Sequence, residues 1–247
     1  PFRNEAKNLS TLIESLKRQS HSSYELIFIN DHSEDNSLDL LQWFSSVDDR
    51  VRCLENKGKG IIDALQTGYG ECCGDFIHRM DADDLMVNHK LATLKEKLTC
   101  VGKGFVATAK VQYFAAEGVN EGYQNYEAWL NRLCDRNNHW DELFKECVIA
   151  SPNWMMHRTD FETCGGFDAN TYPEDYDLVF RMFQHGMKVT SANSITHLWR
   201  DHNERSSRND SNYAHNTFFE IKIQYFLKLK QDFTRPLMVW GAGKKGK

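Results

Sequence analysis

Long hydrophobic runs are missing from this sequence: nothing approaches the roughly 20 apolar residues of a membrane-spanning helix, and no signal-peptide pattern is visible. An excess of basic residues is missing too. The 30 Lys and Arg against 35 Asp and Glu leave a net charge of −5 with the signs well mixed, which argues against nucleic acid as a partner because no positive field is available to attract it. Seven cysteines occur without any C-x-x-C spacing, and Cys72 and Cys73 are adjacent. That pattern suits neither a disulfide framework nor a zinc site, and it reads as reduced thiols in a cytoplasmic protein. Internal repeats and low-complexity linkers are also absent.

What is present is a chain of 247 residues, enough for one large α/β domain with a substantial core. Leu9, Leu12, Ile13 and Leu16 recur at helical spacing after Asn8, a candidate cap. The apolar run Leu26–Ile29 predicts a buried strand that ends on the polar turn Asn30–Asn36. A helix over 37–44, a strand over 51–54, a glycine-bearing loop at Lys57–Gly60 and a helix over 61–68 follow. Next come a strand over 75–80 and a helix carrying Leu91, Leu94 and Leu98. Strands alternating with helices predict a mostly parallel central sheet covered on both faces. In such sheets ligands bind beyond the carboxyl ends of the strands.

Beyond residue 104 the pattern predicts a strand over 105–114, a helix over 123–134, an apolar segment over 148–157, a turn at Cys164–Asp168, a helix over 174–184 and a last long helix from about 212 to 230. The chain opens on the polar turn Pro1–Glu5, so a first strand is expected ahead of Pro1. After Arg235 an apolar strand runs into Gly241-Ala242-Gly243-Lys244-Lys245-Gly246. That spacing matches G-x-G-x-x-G and marks the expected opening of a further Rossmann-like unit, from which no cofactor is assigned. The expected division is therefore a domain at 1–208, a helix at 209–234 packed on it, and a truncated unit at 235–247.

The stretch Ile77-His78-Arg79-Met80-Asp81-Ala82-Asp83-Asp84 places three carboxylates within four residues after an apolar run. Like charge at that density is costly unless a metal, a basic side chain or bulk water offsets it. In an extended segment Asp81 and Asp83 project to one side, with Ala82 keeping the space between them small. That geometry suits Mg²⁺ or Mn²⁺, which take one or two protein carboxylates and complete their shell with phosphate oxygens and water. A solvated acidic loop is the alternative reading of Asp-x-Asp alone. Asp31 sits at another strand end and is expected on the same rim, unless it serves only as an Asx-type turn capping the next helix.

Several motifs in order resemble the inverting family 2 glycosyltransferases with the GT-A fold. They are Pro1-Phe2-Arg3-Asn4-Glu5, Glu25-Leu26-Ile27 with Asn30-Asp31-His32-Ser33-Glu34-Asp35, Lys59-Gly60 with the following helix, Asp81-Ala82-Asp83-Asp84, and Gly165-Gly166-Phe167-Asp168 followed by Glu174-Asp175-Tyr176-Asp177-Leu178. The resemblance covers Pro1 to about Arg208. It implies a GT-A α/β fold with a C-terminal helical extension, and transfer of a sugar from a nucleoside diphosphate sugar, most often UDP-linked, to a saccharide or lipid-linked saccharide acceptor.

By the same resemblance Pro1, Arg3, Glu5, Asp31, Gly60, Asp81, Ala82 and Asp83 would line the nucleotide site, with Asp31 accepting the N3–H of uracil. Asp83 would ligate the Mn²⁺ or Mg²⁺, Asp81 would approach the ribose or the metal shell, and Asp84 would orient its neighbours or cap the next helix. Asp175 would be the base that takes the acceptor proton, with Glu174 helping to place the acceptor. His202 is the residue of the later segment expected near the metal, beside a loop carrying Arg205, Ser206, Ser207 and Arg208 that would close over the donor. The Q-x-x-R-W signature of processive members is missing, which favours transfer of a single sugar. Cell-surface polysaccharide synthesis in the cytoplasm, at most peripherally at the inner membrane face, is the setting implied. A non-catalytic nucleotide-sugar-binding scaffold and a sugar nucleotidyltransferase are the other readings; no G-x-G-x-R-x-x-P loop supports the second.

Overall fold

The computed structural model describes residues 1–168, 170–213 and 215–229, without the side chains of Ser206, Ser207, His215 and Asn216. The expected glycine-rich unit at 235–247 therefore lies outside the described residues. The amino-terminal half alternates as the sequence predicts, with one short unpredicted strand, β4, added: α1 (Ala6–Lys17), β1 (Leu26–Asn30), α2 (Ser37–Val47), β2 (Val51–Glu55), α3 (Ile61–Glu71), β3 (Phe76–His78), β4 (Leu85–Met86) and α4 (Lys90–Val101). After it come β5 (Phe105–Phe114), α5 (Glu121–Arg136), β6 (Trp154–His157), α6 (Arg158–Thr163), α7 (Glu174–Gln184), β7 (Lys188–Arg200), α8 (Ser206–Asn209) and α9 (His215–Leu229). Asn8 is not the cap of α1. Glu5 holds that position, and Asn8 is buried one turn in, donating from Nδ2 to Glu5 Oε2 at 2.6 Å.

β1 and β2 pair in parallel, and Phe2 extends that sheet through a parallel bridge to Asn30. A second sheet has the order β3-β6-β5-β7-β4. Within it only β5 and β7 are parallel, whereas β6 runs against both β3 and β5, and β4 runs against β7. The expected mostly parallel sheet thus gives way to a mixed one. Parallel neighbours require a crossover that returns the chain to its starting end; the connection through α5 and the 3₁₀ turn His139–Glu142 delivers it to the opposite end. The free edges of β1 and β3 line a largely apolar slot of about 380 Å³, with Pro1 at its border.

The second sheet is buried on both faces. Successive residues of β5 and β6 divide between two cores by the period-2 geometry of a strand, with the alternation in β5 reset by a register shift around Lys110. Val106, Val111, Trp154 and Met156 face α5, α7 and α9, while Ala107, Ala109 and Met155 face α1, α2 and α4. α9 seals the first core by stacking Tyr225 on Phe180, with ring centroids 4.4 Å apart. Among the described residues no helix is long and apolar enough to cross a membrane.

Candidate active site

The segments that follow β1, β2 and β3, together with the amino-terminal ends of α7 and α9 and the stretch after β7, border one cleft of about 1540 Å³. Pro1, Arg3, Glu5, Asp31, Gly60, Asp81, Ala82, Asp83, Glu174, Asp175 and His202 all line it. The residues expected at the nucleotide, metal and acceptor are therefore gathered on this one surface, whereas Asp84 lies behind it.

On the first wall, two loops are tied together before they reach the cleft. Asn4 N–H donates to Ser33 Oγ at 3.1 Å, and Asn4 Oδ1 accepts from Glu34 N at 2.8 Å. Asp31 does not cap a helix. Its carboxylate accepts from Gly60 N at 3.0 and 3.1 Å and from Asn56 Nδ2 at 2.7 Å, so it fastens the end of β1 to the 56–60 loop. Gly60 adopts φ +88°, a left-handed conformation suited to glycine. Burial raises the pKa of Glu5, and the nearby Asp83 charge adds to that rise against the hydrogen bond from Asn8.

The acidic stretch is a turn, with Asp84 N on Asp81 O at 3.5 Å, and not the extended segment expected. Its three carboxylates consequently point to three different partners. Arg79, from the same stretch, donates through Nε to Asp81 Oδ1 at 3.1 Å. Asp83 Oδ2 lies 2.9 Å from His202 Nε2. Asp84 is fully buried, 3.0 Å from His197 Nε2, and does not cap α4, whose cap position is His89. Burial, reinforced by Asp83 and Asp81, pushes the Asp84 carboxyl up. Each carboxylate thus has its own partner, the Arg79 guanidinium for Asp81 and an imidazole for Asp83 and for Asp84.

The second wall is the start of α7. Gly165 and Gly166 turn the chain with φ +78° and +50°, and a Cβ on Gly166 would press to 3.1 Å on the Phe161 ring. Arg181 fixes this turn by donating from Nη1 to Gly166 O at 2.9 Å and from Nε to Asp177 Oδ2 at 2.7 Å. Glu174 is buried, and both of its oxygens are engaged: Oε1 by Arg79 Nη1 at 2.9 Å and Oε2 by Tyr213 O–H at 2.6 Å. One bond on each oxygen holds it as an anchor within the wall. Asp175 keeps one oxygen clear of these contacts, the other accepting from Tyr176 N at 2.7 Å. Burial, and then the adjacent Glu174 charge, push its pKa up to about 7. Burial would lower the Arg79 pKa, but Asp81, Glu174 and Asp175 together raise it, so the guanidinium stays charged.

The stretch after β7 crosses the cleft. Glu204 pairs with Lys7, and the Arg205 guanidinium lies over the rings of Tyr123 at 5.1 Å and Trp199 at 5.2 Å. Arg208 bonds Asp201 Oδ1 at 2.5 Å. The chain between them thus reaches both walls, at Asp83 through His202 and at Glu174 through Tyr213.

A model of the family described as glycosyl transferase family 2 matches residues 1–165, two-thirds of the chain. The chain belongs to that family. This family 2 member is 33% identical to the glycosyltransferase GlyG of Streptococcus pneumoniae over 81% of its own length and 68% of GlyG. It is 28% identical to the probable glycosyltransferase YdaM of Bacillus subtilis over 67% of its length, but spans only 40% of YdaM. Among solved structures, S. aureus TarS in complex with UDP-GlcNAc superposes with a TM-score of 0.67 at 13% identity, covering 95% of this chain and 67% of that one. The mannosyltransferase PcManGT of Pyrobaculum calidifontis, in complex with GDP-Man and Mn²⁺, gives 0.66 at 14% identity, covering 94% and 63%. These likenesses establish the GT-A fold for the family 2 chain.

Arg79 and Tyr213 were not singled out from the sequence of this family 2 chain. Arg79 had a signal, since it is the one cation inside the acidic stretch; Tyr213 had none, because its partner is 39 positions away. The donor set fits a divalent cation. Carboxylate oxygens suit Mn²⁺ or Mg²⁺, and His202 Nδ1, the ring nitrogen that does not meet Asp83, is buried without a hydrogen-bond partner. Among the described residues no three His, Cys, Asp or Glu side chains converge as a closed cage, and an ion that shares its shell with a diphosphate does not require one.

Proposed function

We propose that this chain transfers a single sugar from a nucleoside diphosphate sugar, UDP-linked by preference, to a hydroxyl of a saccharide or lipid-linked saccharide, with inversion at the anomeric carbon. The observation that carries the reading is the meeting, across one cleft, of the Asp81–Asp83 turn and the Glu174–Asp175 pair, joined by Arg79.

In this reading the nucleoside lies along Pro1, Arg3, Asp31 and Gly60. Asp31 offers its remaining lone pairs to the N3–H of uracil while Gly60 and Asn56 hold the carboxylate still. Asp83 and His202 hold a divalent cation with the diphosphate, and Asp81, already paired with Arg79, lies toward the ribose. The cation, when bound, stabilises the charge that develops on the departing diphosphate. Asp175 takes the proton of the acceptor hydroxyl as that oxygen attacks the anomeric carbon. Glu174 acts through Arg79 and Tyr213, placing Asp175 rather than the acceptor.

The binding of UDP and UDP-GlcNAc by TarS and of GDP-Man by PcManGT supports a nucleotide-sugar donor. A thermal-shift screen of nucleoside diphosphates and their sugars with and without Mn²⁺ tests it, with stabilisation by UDP compounds expected to grow when Mn²⁺ is added. NMR of the product's anomeric proton then distinguishes inversion from retention.

A further inference from the structure

Behind the cleft, and absent from its lining, three ionisable side chains form a continuous buried chain. Lys90 Nζ donates to Pro152 O at 2.6 Å and lies 2.9 Å from His197 Nδ1; His197 Nε2 lies 3.0 Å from Asp84 Oδ2. All three residues have no exposed surface. With the lysine protonated, one imidazole tautomer satisfies every member: Nδ1 accepts from Lys90 and Nε2–H donates to Asp84. Burying such groups is costly, and apolar residues of similar volume would serve packing at least as well. Their placement relative to the acidic turn supplies a role.

β4 has two residues, paired as Leu85 with Leu198 and Met86 with His197. So short a ladder holds its register weakly. The turn before β4 is fastened to β7 by other means: Asp84 Oδ1 accepts from Arg200 N at 2.7 Å, and Arg200 Nε donates to Asp83 O at 2.6 Å. Two residues past Arg200 comes His202, whose Nε2 meets Asp83 Oδ2. Any slip of the turn along β7 therefore changes the Asp83–His202 separation directly.

We propose that Asp84, His197 and Lys90 are positioning residues: a buried relay that locks the Asp83 turn to β7 and so sets how tightly the cation–diphosphate end of the donor is held. The proposal rests on the reading of the cleft as a donor site. None of the three touches donor or acceptor.

The test is calorimetry of UDP binding, with and without Mn²⁺, on the wild-type chain and on the triple variant Asp84→Leu, Lys90→Met, His197→Leu. The triple variant removes the buried charges together, a change that buried ionic groups tolerate, while freeing Arg200 N and Pro152 O of their side-chain partners. The expected result is Mn²⁺-dependent affinity weakened about tenfold or more, in the range of outer-shell changes at metal sites, with metal-free UDP affinity unchanged. A folded triple variant with undiminished Mn²⁺-dependent affinity overturns the relay. If the triple variant does not fold, Asp84→Asn decides: it keeps an acceptor for Arg200 N but turns an N–H toward His197, so an unchanged Mn²⁺-dependent affinity overturns the relay equally. Wild-type protein that binds no nucleoside diphosphate in either condition overturns the donor reading itself, and the relay with it.

Discussion

Arg79 Nη1 and Glu174 Oε1 meet at 2.9 Å although they stand 95 positions apart, one at the end of β3 and the other at the start of α7. Both side chains are buried, 6% and 7% exposed, so the contact is a structural pin between the two walls of the cleft. Arg79 also holds Asp81, so a single guanidinium relates the donor-side turn to the carboxylates across from it.

Arg79→Met should be strongly destabilising. Removing one partner of a buried pair leaves charge uncompensated, at a cost of about 3–5 kcal/mol, and here two carboxylates lose their partner. Denaturant unfolding with a constant m-value is the measurement. Arg79→Met combined with Glu174→Gln should recover part of the loss, because the buried charge is then removed from both sides.

Asp175→Asn should leave donor binding nearly intact and lower transfer by a factor of order 10² to 10⁴, the contribution of a positioned base. Steady-state rates beside calorimetric UDP affinity separate the two effects. Full activity in this variant would remove Asp175 from the chemistry.

The pH dependence follows from the same residue. A base works deprotonated, and burial beside Glu174 raises the Asp175 pKa to about 7. Transfer should therefore be low under acid conditions and climb as pH passes through that value, not through the ordinary carboxylate range. A profile of kcat/KM from pH 5 to 9 checks the position of the acid limb, and a limb near pH 4 would contradict it.

Asp83→Asn should weaken Mn²⁺-dependent UDP binding by roughly tenfold or more, since even changes behind a metal ligand cost about that much. UDP affinity without metal should hardly move. Calorimetry in the two conditions makes the comparison, and equal losses in both would place Asp83 on the nucleotide instead.

Local periodicity carried much of the fold. β5 and α7 occupy the spans Phe105–Phe114 and Glu174–Gln184 that the sequence predicts, both of them largely buried. β7, the longest strand, was missed: its burial does not alternate cleanly, and its pairing with β5 shifts register near Lys110. The mixed direction of the second sheet was likewise invisible, since it depends on where the long connection between α5 and β6 delivers the chain.

The sequence by itself determined that Asp31, the Asp81–Asp84 cluster and Glu174–Asp175 stand at the ends of elements around one rim. Only the tertiary structure decided how three aspartates within four residues tolerate one another. Asp81 turns to Arg79, Asp83 to His202 and Asp84 to His197 with Lys90 behind it, and two of these partners lie more than a hundred positions away. Charge density is a property of the chain, but its compensation is a property of distance in space, and folding sets those distances.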